Sequence, residues 1–238
     1  MWDITTGVMI WKLNATWPQV LWQIYDWFLN PNAGYYFAKK AMEPLHIQLN
    51  ENNFTVSVIN RIHRQQSELT AIVKVLNADA TVKWSKEEKL SVSEDSYQEL
   101  FRLPEIKDLS PVYFVRLELR DKNGTLLSDN FYWFSSSGKD DFSQIKNLKK
   151  VGLVIKDEVH NEGGQVIVKV TVTNPSDGIA FFNRLMITKG SGGDEVLPTF
   201  WSDNFFSLLP GEVKTVTASF ASSELAGKEP VVVQDKDF

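Results

Sequence analysis

The pattern of hydrophobic and polar positions changes character at about Pro44. Before it, Val8, Met9, Ile10 and Leu13 form a nearly unbroken apolar run, as expected of a strand covered on both faces in a parallel sheet. Val20, Leu21, Ile24, Trp27 and Phe28 then recur at helical spacing, which predicts an amphipathic helix over Trp17–Leu29 that also carries Trp22 and Tyr25. Pro18 suits its first turn, where a missing N–H costs nothing, and Asn30-Pro31-Asn32-Ala33-Gly34 is expected to stop it. One strand and one helix cannot bury that much aromatic surface alone. The segment therefore reads as the closing strand–helix unit of something larger.

After Pro44 the period becomes two. Strands are expected over Phe54–Ile62, Leu69–Leu76, Val82–Trp84, Leu90–Val92, Leu100–Leu103, Val112–Leu119 and Leu126–Phe134, with a hairpin turn at Asn123-Gly124. Their spacing suggests an immunoglobulin-type β-sandwich with Trp84 or Trp133 as core candidates. Ser135-Ser136-Ser137-Gly138-Lys139-Asp140-Asp141 interrupts the pattern as a linker would. A second set follows over Val151–Val159, Val166–Val172, Ile179–Ile187, Phe205–Leu209, Val213–Phe220 and Val231–Val233, separated by Gly-, Asn- and Pro-rich turns. The expected fold class is mainly β: two immunoglobulin-like sandwiches, residues 46–137 and 146–238, preceded by the last strand–helix unit of a (β/α)8 barrel in residues 1–45.

Composition narrows the classes of function. With 43% hydrophobic and 23% charged residues and a net charge of −5, the chain is that of a folded protein without the basic footprint that nucleic acid requires. No apolar run reaches the roughly 18 residues of a membrane span, and no signal-peptide pattern precedes Asp3. The absence of cysteine excludes disulfides, thiolate chemistry and cysteine-ligated zinc. The tripeptides at Asn14, Asn53 and Asn123 match glycan acceptor sites, a pattern common by chance.

Two blocks of residues carry a resemblance. The first is Thr6-Gly7-Val8-Met9-Ile10-Trp11-Lys12-Leu13-Asn14, with Trp17-Pro18, Trp22, Tyr25-Asp26, Gly34-Tyr35-Tyr36, Ala38-Lys39-Lys40-Ala41 and Glu43-Pro44-Leu45-His46-Ile47-Gln48. It resembles the end of the catalytic barrel in glycoside hydrolase family 2, in the exo-β-glucosaminidase and β-mannosidase branch that includes the mannosylglycoprotein endo-β-mannosidases. The second, Phe200-Trp201-Ser202-Asp203-Asn204-Phe205-Phe206-Ser207-Leu208-Leu209-Pro210-Gly211-Glu212, resembles the signature of those enzymes' final immunoglobulin-like domain. The resemblance implies an accessory, non-catalytic part of a retaining β-glycosidase. Its partners would be the rest of the barrel and, in the full enzyme, a glycan of β-linked glucosamine or mannose units. A periplasmic or secreted parent is the expectation, and the alternative reading is a stand-alone carbohydrate-binding or adhesion module.

Catalytic chemistry is missing from the sequence itself. Retaining glycoside hydrolysis needs two carboxyl groups about 5 to 5.5 Å apart, and the resemblance puts both on barrel strands outside this chain. Asp3 and Asp26 match neither. Trp11, Asn14 and Trp17 lie where a barrel strand ends, the face that carries active sites in such barrels; they are the candidate substrate-pocket wall, with ordinary packing as the competing reading. His46, His63 and His160 are too scattered to suggest a metal triad, and no cofactor is expected. Asp203-Asn204 has the oxygen chemistry of a sugar or calcium site, although a turn is the simpler expectation. Exposed aromatics among Phe200, Trp201, Phe205 and Phe206 would favour glycan binding; buried ones would favour bracing. Without the barrel, the apolar helix is expected to be exposed, recruited onto the first sandwich, or used for self-association.

Overall fold

The structure, a computed structural model, describes residues 7–14, 16–18, 23–137 and 140–235. It divides into two compact units, one built on Lys39–Lys149 and the other on Gly7–Ala38 with the chain from Lys150 onward.

The first unit is a sandwich of seven strands: β1 (Leu45–Asn50), β2 (Thr55–Asn60), β3 (Gln66–Asn77), β4 (Val82–Val92), β5 (Ser96–Arg102), β6 (Val112–Arg120) and β7 (Leu126–Ser135). They form a three-stranded sheet, β1-β2-β5, and a four-stranded sheet, β4-β3-β6-β7. Alternation on β3 sends Leu69, Ala71, Val73 and Val75 into the core, where they meet Ile47, Val56, Val58, Val115 and Leu117. β6 and β7 form the hairpin expected around Asn123-Gly124, closed by Asp121, whose Oδ1 accepts the N–H groups of Asn123 and Thr125 at 2.8 Å each.

Three details differ from the sequence expectation. Val82–Trp84 and Leu90–Val92 belong to one strand, because Lys86 and Glu88 keep the register with Val73 and Ala71. That strand is a sheet edge, and its charged positions suit solvent and deter further pairing. β1 had no distinct signal, being short and immediately after Pro44. Its outer backbone is satisfied by side chains of β7: Ser128 accepts the Ile47 N–H, Tyr132 accepts the Leu49 N–H, and Asn130 donates to the Ile47 carbonyl. Trp84 and Trp133 are only half-buried; aliphatic side chains fill this core, and Trp84 packs against Phe101 at 6.0 Å beside it.

The second unit contains β8 (Val154–Glu162), β9 (Gln165–Thr173), β10 (Ala180–Asn183), β11 (Leu185–Lys189), β12 (Phe200–Trp201), β13 (Phe206–Leu208), β14 (Val213–Ala221) and β15 (Pro230–Gln234). One sheet has the order β12-β14-β9-β8, and β10-β13 and β11-β15 are two-stranded ladders. Val166, Val168, Val170 and Val172 of β9 face the core, with Phe220, Leu185, Ile187 and Leu208. β8 is an edge, exposed along almost its whole length and carrying Lys156, Asp157, Glu158 and Glu162.

The expected strand Ile179–Ile187 is two strands with different partners. The break falls at Arg184, whose guanidinium reaches Asp235 at 2.6 Å and both oxygens of Glu195 at 2.8 and 2.9 Å. Phe182, just before it, sits in the left-handed backbone region at φ 54°. A straight strand could not serve both ladders.

Candidate functional site

The two sequence blocks that carry the resemblance come together in the second unit. The meeting point is made by the start of α1 (Ala33–Ala41) and the turn between β12 and β13. Asn204 builds that turn: its Oδ1 accepts the N–H groups of Leu185 and Phe205 at 2.8 and 3.0 Å, and its Nδ2 donates to the Leu185 carbonyl at 2.9 Å. Asp203 accepts the Asn204 N–H at 2.9 Å and pairs with Lys214 at 2.8 Å. Phe205 is thereby held with a left-handed backbone, φ 55°, and its ring lies 5.8 Å from Tyr36 and 5.6 Å from Phe182.

From the other side come Tyr25, Tyr35 and Tyr36, with Tyr25 and Tyr35 at 5.2 Å and Tyr35 and Tyr36 edge-on at 5.0 Å. Tyr36 is buried in the sandwich core. Burial pushes its phenol well above the ordinary value, Tyr35 adds to this, and a hydrogen bond with Asn204 opposes it. The phenol therefore stays neutral and acts as a packing and hydrogen-bonding group. Each such aromatic pair is worth about 0.5–1.5 kcal/mol beyond its buried area.

The helix begins where a stop was expected. Asn32 caps α1, its Oδ1 accepting the Tyr35 N–H at 3.3 Å, while its Nδ2 donates to the Gln23 carbonyl at 2.5 Å. The sequence Asn30–Gly34 thus starts a helix because a side-chain acceptor precedes the orphan N–H groups of the first turn. The expected helix over Trp17–Leu29 is not formed in its described part from Gln23 onward: Tyr25 bridges to Pro31, Asp26 Oδ1 accepts from Phe28 and Asn30 at 2.8 and 2.9 Å, and Leu29 is left-handed at φ 64°. Val20, Leu21 and Trp22 lie outside the described residues.

Nor do Gly7–Asn14 form the expected strand; they are irregular, with bends at Trp11 and Leu13, and Val8, Met9, Trp11 and Leu13 are exposed. A strand needs a hydrogen-bonded neighbour, and among the described residues no strand pairs with Gly7–Asn14. Trp11 and Trp17 are 81% and 61% exposed, and Asn14 is exposed as well. Trp27 and Phe28 are exposed too, at 47% and 63%. Among Phe200, Trp201, Phe205 and Phe206, only Phe200 is exposed, so this aromatic block packs internally.

A group that the sequence did not suggest gathers in the first unit. Ser128 Oγ donates to Glu43 at 2.7 Å, and His46 Nδ1 lies 3.2 Å from the same carboxylate and 3.4 Å from Ser128. Its composition is that of a nucleophilic triad, but its geometry is not. The hydroxyl gives its proton to the carboxylate rather than to the imidazole, and Ser128 is 3% exposed. Nearby, Asp129 joins Lys40 at 2.6 Å and Arg116 at 2.5 Å. Both clusters satisfy buried polar groups, which is what burial of charge requires. Among the described residues, no group of three His, Asp or Glu side chains is placed to hold a metal, and Asp203-Asn204 is the turn just described.

Comparison with known proteins covers nearly all of the chain. A family profile described as mannosidase Ig/CBM-like domain matches residues 52–137, and one described as exo-beta-D-glucosaminidase Ig-fold domain matches residues 130–238. The exo-beta-D-glucosaminidase of Amycolatopsis orientalis is 35% identical over 96% of this chain and 24% of its own length. The mannosylglycoprotein endo-beta-mannosidase of Lilium longiflorum is 29% identical over 92% of the chain and 30% of its length. The crystal structure of the A. orientalis exo-chitosanase superposes with a TM-score of 0.89 at 33% identity, over 97% of this chain and 30% of that one. The chain thus spans about a quarter to a third of these relatives.

Proposed function

Because the chain belongs to the immunoglobulin-like C-terminal region of glycoside hydrolase family 2 enzymes of the exo-β-glucosaminidase and mannosidase branch, we propose that it is the non-catalytic accessory part of a retaining β-glycosidase. In this reading residues 1–45 are the closing strand–helix unit of the catalytic barrel, and the sandwiches brace it. The observation that carries the proposal is the exposure of Val8, Met9, Trp11 and Leu13 in a segment whose following residues, Tyr25–Tyr36, are anchored on the second sandwich. An apolar run held out to solvent from a fixed base is a contact surface for a further domain. In the assembled enzyme Trp11, Asn14 and Trp17 border the pocket for a β-linked glucosamine or mannose unit. In the isolated chain the same surface promotes self-association.

A graft tests this: the chain replaces the matching region of the A. orientalis exo-beta-D-glucosaminidase. The graft is expected to fold and cleave an aryl β-glucosaminide, and Ile10→Asp with Trp11→Asp to lower its activity or yield about tenfold. Val213→Asp, on an exposed sandwich strand, is the control that leaves it unchanged. Cleavage of the glycoside by the purified chain alone, or a graft indifferent to Ile10→Asp, overturns the proposal.

A further inference from the structure

A groove of about 770 Å³ opens at one end of the first sandwich, beside the loop from Leu103 to Pro111 that links β5 and β6. Its volume lies in the range of small-ligand sites. Phe54 and Tyr113 supply aromatic walls, and Arg102, Glu105 and Asp108 supply charge. The walls are braced from behind by Phe134, whose ring centre is 5.3 Å from Phe54 and 5.5 Å from Tyr113. Phe54 and Asp108 both adopt left-handed backbones, φ 55° and 58°. Phe54 closes the turn after β1, its N–H donating to the Asn50 carbonyl at 2.7 Å, which fixes the ring at the groove.

The charges are the informative part. Among the described residues, Arg102, Glu105 and Asp108 have no ion-pair partner; all three are solvent-exposed at the groove's rim, so their charges are open to a ligand. The loop is nonetheless anchored: Asn77 donates to the Asp108 carbonyl at 3.2 Å and accepts the Ser110 N–H at 2.8 Å, and Asp108 lines the groove. Burial pushes the Tyr113 phenol upward, so it remains a neutral donor beside an apolar ring face.

We infer that this groove is a binding subsite for an amino-sugar oligosaccharide: the apolar C–H face of a pyranose packs on Tyr113 and Phe54, and its ammonium groups pair with Glu105 and Asp108. An ammonium-bearing chain fits the two carboxylates better than a neutral glycan, and Arg102 is left to meet ring hydroxyls. The choice of amino sugar rests on the proposed function, whereas the groove's existence does not. The subsite lies on the first sandwich, so it holds a polymer chain without taking part in bond cleavage.

Calorimetric titration of the 238-residue chain with glucosamine hexamer tests this without any barrel, so its failure is separable from failure of the graft. Saturable binding is expected, weakened severalfold between about 50 and 300 mM salt as ion pairing is screened. Tyr113→Ala is expected to weaken it about tenfold, and Glu105→Gln with Asp108→Asn, which preserve shape, about fivefold or more. Circular dichroism and the urea midpoint verify that each variant is folded. Absence of saturable binding, or binding untouched by Glu105→Gln with Asp108→Asn in a folded variant, overturns the subsite. Equal binding of N-acetylglucosamine hexamer overturns the assignment to amino sugars.

Discussion

Val166, Val168, Val170 and Val172 are at most 1% exposed, whereas Val8, Met9, Ile10 and Trp11 are 87%, 97%, 44% and 81% exposed. The two stretches are comparably apolar, so composition does not separate them. What separates them is partners: β9 is paired on both sides, by β8 and β14, and the leading residues have neither strand. Hydrophobicity supplies a driving force for burial, but hydrogen-bonding neighbours decide whether a given run can be buried as a strand.

Truncating a core aromatic in one stretch and an apolar residue in the other gives the widest contrast. Phe220→Ala, at a fully buried position packed with the β9 valines, is expected to cost about 3–5 kcal/mol in urea denaturation. Ile10→Ala in the isolated chain is expected to stay within about 0.5 kcal/mol. A large loss at Ile10 would mean that the leading run already has a core.

A smaller effect probes the seat between them. Asn204→Ala leaves the Leu185 N–H and carbonyl without their side-chain partners in a buried turn and is expected to cost about 1–3 kcal/mol. It is also expected to loosen the Tyr35–Tyr36 region, read as faster hydrogen exchange of α1 amides. If exchange in α1 is unchanged, the turn and the helix are independent.

The smallest expected effect concerns pH. Burial raises the Glu195 carboxyl above its ordinary value, with Arg184 opposing and Asp235 and Asp26 reinforcing. A raised folded-state value means that the folded form binds the proton more tightly. This contribution to stability is fully present below the unfolded value and is lost as pH rises through the folded one. The urea midpoint of wild type should therefore carry a component that declines from about pH 4 upward, and Glu195→Gln should remove that component. An identical pH profile in the variant would show that Glu195 does not contribute.

Much of this architecture was legible from period-two alternation. β3, β9 and β14 announce themselves because one face is consistently apolar, and the β6–β7 hairpin because Asn123-Gly124 tolerates a tight reversal. The two signature blocks were also readable as blocks. Their meeting was not, since nothing local in Phe205 says that its ring will pack on Tyr36. The helix was misplaced because Asn30–Gly34 has the chemistry of both a terminator and a cap, and only the contacts of Asn32 decide between them. Glu43, His46 and Ser128 stayed invisible for a different reason: β1 with the residues just before it and β7 bring them together from opposite ends of the sandwich's sequence. As for Trp11, Asn14 and Trp17, an unbroken apolar run suggests a strand but carries no information about whether a hydrogen-bonding neighbour is at hand.

The nine residues of β8 present an open backbone ladder on one side, with Lys156, Asp157, Glu158 and Glu162 along it. Another copy approaching that rim must desolvate charges of both signs before any amide pairs, which protects against fibril-like stacking. A cell or a laboratory can therefore concentrate this polypeptide without zipping it rim to rim, and any clumping it shows should be traced to the tryptophans of its leading residues and be reversible by mild detergent.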